Sequence, residues 1–411
     1  MLSLMTSEVL IMTPSAVAMA ADSVVTINGN KTYEGVNKLF MLSKNPPMGI
    51  MIYNNANFIA IPFETLIKDF REQIMDDQTV STVDDFRDKF KEYLENEPKK
   101  NNFPMMSLQD KINFFTGHMA KEVNNLDENT IEEWLVKNQC PDVFDKYKDI
   151  IFKESESLND FNNCINNILP ESLNSDEKTE LHKLLRNIFI QIMVLENYTG
   201  VAIVGFESDK LFPSCTLFRI RYLYDDKFLF DDIENDEVGG DKGVIFAPLA
   251  QTDVIELFLT SLDAETEEQL KMYFNNVLDG YNARLKDLVK SEESISDDDA
   301  EKVISLLDKV QNKHSDFDER FDEFILSIKQ TNRNPILTSI MFLPKDELSN
   351  LAESLINITS LKRKVQDGLE TVGGDVDVAI ITKGDGFIWT KRKHYFKPEL
   401  NPHYFDKEVK S

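Results

Sequence analysis

The sequence has few of the residues that build metal centres or covalent cross-links. Among its 411 residues there are only three cysteines and five histidines. Cys140, Cys164 and Cys215 are odd in number and lack CxxC spacing, which argues against a disulfide framework or a zinc site and favours a reducing compartment. The histidines are scattered and form no HExxH pattern. We therefore expect neither a metal nor a cofactor.

Basic residues are scarce relative to acidic ones. The chain has 45 Lys and Arg against 72 Asp and Glu, which gives a formal net charge of −27. A surface of this charge repels phosphate backbones and anionic lipid headgroups. We therefore expect neither nucleic acid nor a membrane among the partners.

Long uninterrupted apolar runs are also missing. Residues 1–21 imitate a signal peptide, because they are apolar and end in the small residues AVAMAA. They lack a basic start, however, and Thr6, Glu8 and Pro14 are among the residues that interrupt the apolar run. No other window is apolar for long enough to cross a bilayer. The sequence therefore predicts a soluble, cytoplasmic protein.

Strand patterns gather in three parts of the chain. Residues 8–42 and GIMIYNN are typical of strands and turns, and IPFETLIKDFREQI then has helical spacing. TGVAIVGFES, SCTLFRIRYLY and the strand-to-helix segment GVIFAPLAQTDVIELFLTSLD form the second part. The third part is the amphipathic helix LSNLAESLINITSLKRKV, followed by a hairpin that turns at Lys-Gly-Asp-Gly.

Two acidic helical stretches separate these parts, so the sequence predicts an α+β fold, with one layered domain split by two helical insertions. The predicted division is 1–5 (propeptide or wrongly assigned start), 6–75 (first core part), 76–195 (helical insertion), 196–261 (second core part), 262–343 (acidic helical insertion), 344–396 (third core part) and 397–411 (tail).

Thr6, Asp22 and Lys38 stand at equal intervals of 16 residues, 6 to 22 and 22 to 38. Removal of Met1 to Met5 would leave Thr6 with a free α-amine, which can serve as a built-in general base for its hydroxyl. The alternative is that Asp22 and Lys38 form an ordinary ion pair and that Thr6 is an edge-strand residue.

Four segments resemble the Ntn-hydrolases, specifically the proteasome β-subunit and HslV-type branch of threonine peptidases. AMAADSVVT resembles the second strand with its acidic residue, and GVNKLFML resembles the strand that bears the catalytic lysine. GVAIVGFES resembles the central strand, and GGDVDVAIITKGDG resembles the closing hairpin. The resemblance implies a four-layer αββα sandwich, here with two acidic helical insertions.

The resemblance also implies residue roles: Thr6 as the nucleophile, Asp22 as the acid and Lys38 as the lysine. An α-amine titrates near ~7.7–8.0, and a nearby ammonium lowers its pKa and favours the free base. Asp22 would hold Lys38 in place and keep it protonated. Asn54 aligns with the glycine whose backbone N–H binds the oxyanion, and asparagine tolerates the positive φ that such a donor needs.

Two supporting positions of the family pattern are not matched. Where the family has a serine before the central helix, the nearest polar residues here are Gln251 and Thr252. Where it has Asp-x-x-Ser-Gly before the closing hairpin, the candidates are Asp367, Glu370 and Thr371. Because the missing groups orient the amine and relay its proton, their loss puts efficient proteolysis in question.

The sequence thus predicts a threonine-type hydrolase that cleaves amide bonds, in particular those of a peptide or protein substrate, and that assembles as a homo-oligomer. It does not identify an unfoldase partner. Two alternatives remain: a small-molecule amidase on the same fold, and a catalytically inactive Ntn-fold subunit whose acidic insertions form an interaction surface. An exposed Thr6 α-amine would separate the inactive subunit from both enzymes.

Overall fold

The computed structural model describes residues 7–27, 31–59, 61–75, 77–103, 105–240, 242–292, 294, 296–311, 314–365 and 373–402. The strands of these ranges are, in chain order, β1 (Ser7–Met12), β2 (Val17–Ala21), β3 (Val25–Ile27), β4 (Lys31–Tyr33), β5 (Leu39–Lys44), β6 (Pro47–Asn54), β7 (Asn57–Phe58), β8 (Ile61–Pro62), β9 (Thr199–Gly205), β10 (Ser214–Tyr224), β11 (Lys227–Glu237), β12 (Ile245–Ala250), β13 (Asp377–Thr382) and β14 (Gly386–Lys391).

The helices follow the same order: α1 (Phe63–Ile74), α2 (Val83–Lys100), α3 (Leu108–Val123), α4 (Ile131–Lys137), α5 (Phe144–Ile151), α6 (Ser155–Asn166), α7 (Ser175–Ile190), α8 (Asp253–Thr260), α9 (Ala264–Ser291), α10 (Asp297–Gln311), α11 (His314–Met341) and α12 (Lys345–Val365). A π-helical turn, Gln191–Glu196, continues α7, and a short 3₁₀ turn, Pro398–Leu400, lies near the end.

Two five-stranded antiparallel sheets form the centre of the structure. The first sheet has the strand order β12-β1-β2-β13-β14, and the second has the order β11-β10-β9-β6-β5. In the first sheet Ser7 lies opposite Ala250, and in the second Asn54 lies opposite Thr199. β1, which begins one residue after Thr6 in the sequence, and β6, which ends at Asn54, therefore lie inside their sheets and not at an edge.

The sheets share one apolar core because alternate side chains of each strand point to the same face. Leu10 and Met12 of β1 pack with Met51 of β6 and Val204 of β9 in that core. Val9 and Ile11 point the opposite way, into a second core formed with α8 and α12. β1 is apolar along most of its length because both of its faces are covered.

The outer face of the second sheet is covered by α1 and α2. Phe63 and Phe70 of α1 and Phe86 and Phe90 of α2 are fully buried there against β6, β9 and β10. α3 to α7 gather around a separate apolar cluster, which also includes Leu223 and Tyr224 at the end of β10. These helices therefore adjoin the second sheet at the tip of the β10–β11 hairpin.

Helix starts in this region are set by local sequence. Capping boxes, in which a side chain and the backbone three residues later bond reciprocally, begin α2, α3 and α7. The pairs are Thr82 with Asp85, Ser107 with Asp110, and Asn174 with Glu177.

The predicted α+β class is confirmed, and several elements match their predicted segments. IPFETLIKDFREQI contains α1, the strand-to-helix segment contains β12 and α8, and the closing hairpin is β13–β14, with Thr382 opposite Gly386. Within residues 8–42, where strands and turns were predicted, the segment 31–42 is divided between β4 and β5. Gly35 between them has φ +91°, a left-handed conformation that ends an extended run.

β11 was not among the predicted strands. Its sequence KFLFDDIENDE carries five acidic residues, and acidic side chains are uncommon in strands. β11 is an edge strand with much of its length partly or fully exposed, so its charges remain in water. Charged side chains at an edge also discourage pairing with other chains.

The division into core and insertion segments stays a prediction. The helix α2 lies inside the predicted insertion 76–195. It nevertheless packs in the same apolar core as α1 and the second sheet. Among the residues that the structure describes, no helix is long and apolar enough to cross a membrane.

A glycine in β9 provides a test of this packing. A Cβ built at Gly200 would lie 2.0 Å from Cζ of Tyr53, so Gly200→Ala must displace a buried aromatic ring. We expect overpacking to lower the free energy of unfolding by about 1–3 kcal/mol, measured by urea denaturation. Gly117→Ala is the control, because its Cβ meets nothing within 4 Å and alanine favours the helix α3. Equal stability of the two variants would contradict the described packing of Tyr53.

Candidate functional site

A buried ammonium lies between the two sheets. Lys38 is 2% exposed, and its Nζ lies 3.1 Å from Oε1 of Glu8 and forms a short ion pair with Oδ1 of Asp22. Glu8 and Asp22 are buried as well. One ammonium is therefore shared by two carboxylates, and we refer to Glu8, Asp22 and Lys38 as the ion group.

The members of the ion group come from both sheets. Glu8 is in β1 and Asp22 directly follows β2, both in the first sheet. Lys38 directly precedes β5 of the second sheet, and its carbonyl accepts a hydrogen bond of 2.9 Å from the N–H of Ile52 in β6. The backbone of Lys38 thus belongs to one sheet while its side chain binds the other.

Asp22 is also held by backbone groups. Its Oδ1 accepts a hydrogen bond of 3.2 Å from the N–H of Ser7, and its Oδ2 accepts one of 3.2 Å from the N–H of Gly373. The N–H of Asp22 in turn donates to the carbonyl of Ser7 at 3.1 Å. Asp22 therefore ties together the start of β1, the end of β2 and the segment before β13.

The carboxylates decide the protonation state of Lys38. Burial, the largest influence, lowers the pKa of Lys38, but the charges and hydrogen bonds of Asp22 and Glu8 outweigh it, and the net pKa is raised above 10.5. Lys38 therefore remains an ammonium near neutral pH. It can act on a neighbouring group through its charge but cannot itself accept a proton.

The structure brings Asp22 and Lys38 together as an ion pair. Thr6, the predicted nucleophile, lies outside the described residues. Ser7, the next residue in the chain, is buried and hydrogen-bonded to Asp22. Asp22 is thus hydrogen-bonded to the residue that follows Thr6 in the sequence. The catalytic roles of Thr6, Asp22 and Lys38 stay predictions.

Asn54 ends β6 in the left-handed region, with φ +71°. Its Nδ2 donates a hydrogen bond of 2.8 Å to the carbonyl of Tyr198. Asparagine adopts this conformation more easily than most residues. The positive φ that the predicted oxyanion donor needs is present, while the oxyanion role itself stays a prediction.

Sequence reasoning missed Glu8. Its signal was a single acidic residue in the otherwise apolar strand segment EVLIM, because a charge in a buried strand requires a partner. Glu8 shares a strand face with Leu10 and Met12, and that face points between the sheets. This orientation places its carboxylate beside Lys38.

Two of the five candidates for the supporting positions, Gln251 and Thr252, lie in the described part of the chain. Oε1 of Gln251 accepts a hydrogen bond of 2.6 Å from Nε of Arg363, so that oxygen is already engaged. Thr252 lines a cavity beside β12. Asp367, Glu370 and Thr371 lie outside the described residues. Gly373, in the segment before β13, donates its N–H to Asp22.

This cavity has a volume of 610 Å³ and lies between the edges of the two sheets. β12 forms one wall, and residues of β10 and β11 form the other. Tyr53, Tyr198 and Arg219 line it near the ion group. In the part of the chain that the structure describes, no three His, Cys, Asp or Glu side chains are grouped as a metal ion would require.

Tyr53 connects the cavity with the ion group. Burial raises the pKa of Tyr53 to about 12, with further increases from the nearby Tyr198 and Glu8 and a decrease from Arg219. Its hydroxyl therefore stays protonated near neutral pH and can donate a hydrogen bond. Glu8 and Arg219 are therefore both close enough to this one side chain to influence its pKa, Glu8 through its charge and Arg219 through its charge and a hydrogen bond.

No protein-family model and no curated protein matches this sequence. Solved structures with a similar shape include "Anbu (ancestral beta-subunit) from Yersinia bercovieri" and "Anbu from Hyphomicrobium sp. strain MC1", each at 8% sequence identity and a TM-score of 0.32. In each comparison the match covers 98% of this chain and 95% of the other chain. Similarity at this level does not assign the chain to a family.

These comparisons correct the predicted resemblance. The sequence predicted a proteasome β-subunit or HslV-type threonine peptidase, whereas the matching structures bear the name Anbu, a proteasome-like but distinct family. The HslV-type assignment is therefore wrong. It depended on short segments, and strands and hairpins of this kind recur in proteins that share a fold without sharing a function.

Removal of Lys38 should strongly destabilise the protein. Lys38→Met leaves two buried carboxylates without their cation, and we expect the free energy of unfolding to fall by about 3–5 kcal/mol in urea denaturation. The control is Lys68→Met, which breaks an exposed pair with Glu64 and should change stability by less than about 1 kcal/mol. Adding Glu8→Gln and Asp22→Asn to Lys38→Met should recover part of the loss; no recovery would refute the electrostatic cause.

Stability should also depend on Lys38 at alkaline pH. Because the pKa of Lys38 is raised on folding, its contribution is complete below the unfolded value and is lost as pH rises through the higher folded value. Urea denaturation between pH 8 and about 12 should therefore show the difference between wild type and Lys38→Met shrinking as pH increases. A difference that grows with pH would mean that the pKa of Lys38 is lowered in the folded protein.

Proposed function

We propose that the chain is a proteasome-like Ntn-fold subunit that hydrolyses peptide bonds with Thr6 as its N-terminal nucleophile. The observation that carries this proposal is the buried Lys38–Asp22 pair, tied through Asp22 to the backbone of Ser7, the residue after Thr6. A cation in this position suits a reaction in which a neighbouring amine must be unprotonated.

The chemistry assigns separate tasks to these residues. The Thr6 hydroxyl oxygen attacks the substrate carbonyl carbon while its proton passes to the Thr6 α-amine. Lys38, held as an ammonium by its carboxylates, lowers the pKa of that amine and favours the free base. The backbone N–H of Asn54 stabilises the oxyanion. The amine then protonates the leaving nitrogen as the C–N bond breaks, and water hydrolyses the remaining ester.

The packing supports a corresponding proposal about architecture. α8 and α12 pack on the outer face of the first sheet, and α1 and α2 pack on the outer face of the second. We propose that these layers form the αββα sandwich of the Ntn-hydrolases, and that the subunit is a homo-oligomer. The three cysteines are all free, which fits a cytoplasmic location.

A catalytically inactive interaction subunit is the second candidate, and Glu8 is the observation that favours it. A second carboxylate on Lys38 partly cancels the positive field that the Thr6 amine would need. A small-molecule amidase is the third candidate, because the 610 Å³ cavity lies within the size range of small-ligand sites. A free α-amine on Thr6 would distinguish both enzymes, the peptide hydrolase and the amidase, from the inactive interaction subunit.

The proposal predicts that active protein begins at Thr6 and that Thr6→Ala abolishes turnover with little loss of stability. Intact-mass analysis of protein from its native host measures the terminus, and a fluorogenic peptide pool together with a threonine-directed covalent inhibitor measures activity. Thr6→Ser should retain measurable activity because it keeps both the hydroxyl and the amine.

Ser7→Ala is the matched control, since it removes a neighbouring hydroxyl but keeps the backbone N–H that binds Asp22. It should remain close to wild type. If protein with a confirmed Thr6 terminus is neither labelled nor active, or if Thr6→Ala equals wild type in both assays, the interaction subunit becomes the better conclusion.

A further inference from the structure

The 610 Å³ cavity is a positively charged site in an acidic protein. Three cationic side chains and two acidic ones line it, so the lining has a formal charge of +1, whereas the chain has −27. The acidic pair is Glu234 and Asp236, and Asp236 forms an ion pair with Lys242. The pKa of Glu234 is raised, first by a hydrogen bond to Asp236, which favours its neutral form. Because Lys242 is paired with Asp236, the positive charge of the lining comes from Arg219 and Arg333.

Arg219 differs from its neighbour Arg221 on the same strand. Arg221 is 2% exposed and forms an ion pair with Asp231. Among the described residues Arg219 has no carboxylate within ion-pair distance, and its Nε is buried without a hydrogen-bond partner. A hydrogen bond to Tyr53 engages part of the guanidinium. An arginine carries five N–H donors, so others remain for a ligand.

Aromatic contacts hold the Arg219 guanidinium in place. It lies over the ring of Tyr198 at 4.6 Å from the ring centre, and the rings of Tyr198 and Tyr53 meet edge to face at 6.5 Å. The carbonyl of Tyr198 accepts the hydrogen bond from Asn54 described above. A stacked guanidinium presents a planar fork that matches the two oxygens of a carboxylate.

The rest of the lining is apolar on the side of β12. Ile245, Phe246 and Leu249 contribute to that wall, and Leu217 and Ile233 lie across from it. A ligand that fills this space therefore needs a carboxylate at one end and apolar groups beyond it. A short peptide with apolar side chains and a free C-terminus has this chemistry, while inorganic phosphate has only the charge.

We propose that the cavity binds the C-terminal carboxylate of a short apolar peptide, with Arg219 as the residue that recognises the carboxylate. The binding site depends only on the cavity residues. We further infer that the site holds peptides or cleavage products next to the ion group by their C-terminal ends. This second step rests on the proposed function. Tyr53 and Arg219 both line the cavity, and the charge of Glu8 in the ion group also acts on Tyr53.

Binding can be measured without catalysis in the full-length Thr6→Ala protein. The probe is N-acetyl-Leu-Phe with a free carboxylate, titrated calorimetrically against the same dipeptide as its C-terminal amide and against inorganic phosphate. We expect the acid to bind at least about tenfold more tightly than the amide or phosphate, since bonds to a charged carboxylate are roughly twice as strong as neutral ones.

Arg219→Gln should weaken binding of the acid at least about tenfold and leave binding of the amide unchanged. Arg219→Lys, which keeps the charge but loses the fork, should show an intermediate loss and guards against misfolding of the Gln variant. Arg284→Gln is the control, because Arg284 lies exposed on α9, outside the cavity. Only variants whose melting temperature and circular dichroism spectrum match those of the parent protein are compared.

Equal binding of acid and amide, no binding of either, or unchanged affinity in a folded Arg219→Gln or Arg219→Lys would overturn the proposal. Phosphate binding as tight as that of the peptide acid would also overturn it, because it would show a site for small anions. An inactive wild-type enzyme that still binds the acid through Arg219 would refute the proposed hydrolase while leaving the peptide site in place.

Discussion

The buried charge of Lys38 is the constraint on which the arrangement of the two sheets depends. A lysine inside a protein loses its proton or destabilises the fold unless carboxylates are within reach. Here both carboxylates, Glu8 and Asp22, belong to the first sheet, whereas the backbone of Lys38 belongs to the second. A shift of the strand register by one residue in either sheet would turn these side chains to the opposite face and separate the partners.

The same constraint shapes the possible chemistry. Because two carboxylates keep Lys38 protonated, its role is that of a fixed cation, and any base must come from elsewhere. Asp22 adds order through the N–H groups of Ser7 and Gly373, which bring three separate chain segments to one point. Glu8 partly offsets the positive field of Lys38, which opposes the catalytic role proposed for this cation.

The cavity and the ion group have one neighbour in common, Tyr53, which lines the cavity and is influenced by the charge of Glu8. Tyr53 connects them, and its ring lies directly on Gly200, where any side chain would displace it. Arg219 and Tyr198 continue the polar surface to the edge strands β11 and β12. A ligand bound at Arg219 would change the surroundings of Tyr53 and, through Glu8, those of Lys38.

The resemblance to a known family implied the pairing of Asp22 with Lys38. Local patterns in the sequence determined the α+β class, the helices α1, α8 and α12 and the closing hairpin. These features depend on hydrophobic periodicity and turn residues within short segments. β11 was missed because an exposed edge strand tolerates acidic residues that resemble a loop. Only the tertiary structure placed Glu8 on Lys38 and Arg219 beside Tyr53, because those contacts join strands of different sheets or distant strands of one sheet. Their formation depends on strand register and sheet packing, which periodicity along a single segment does not specify.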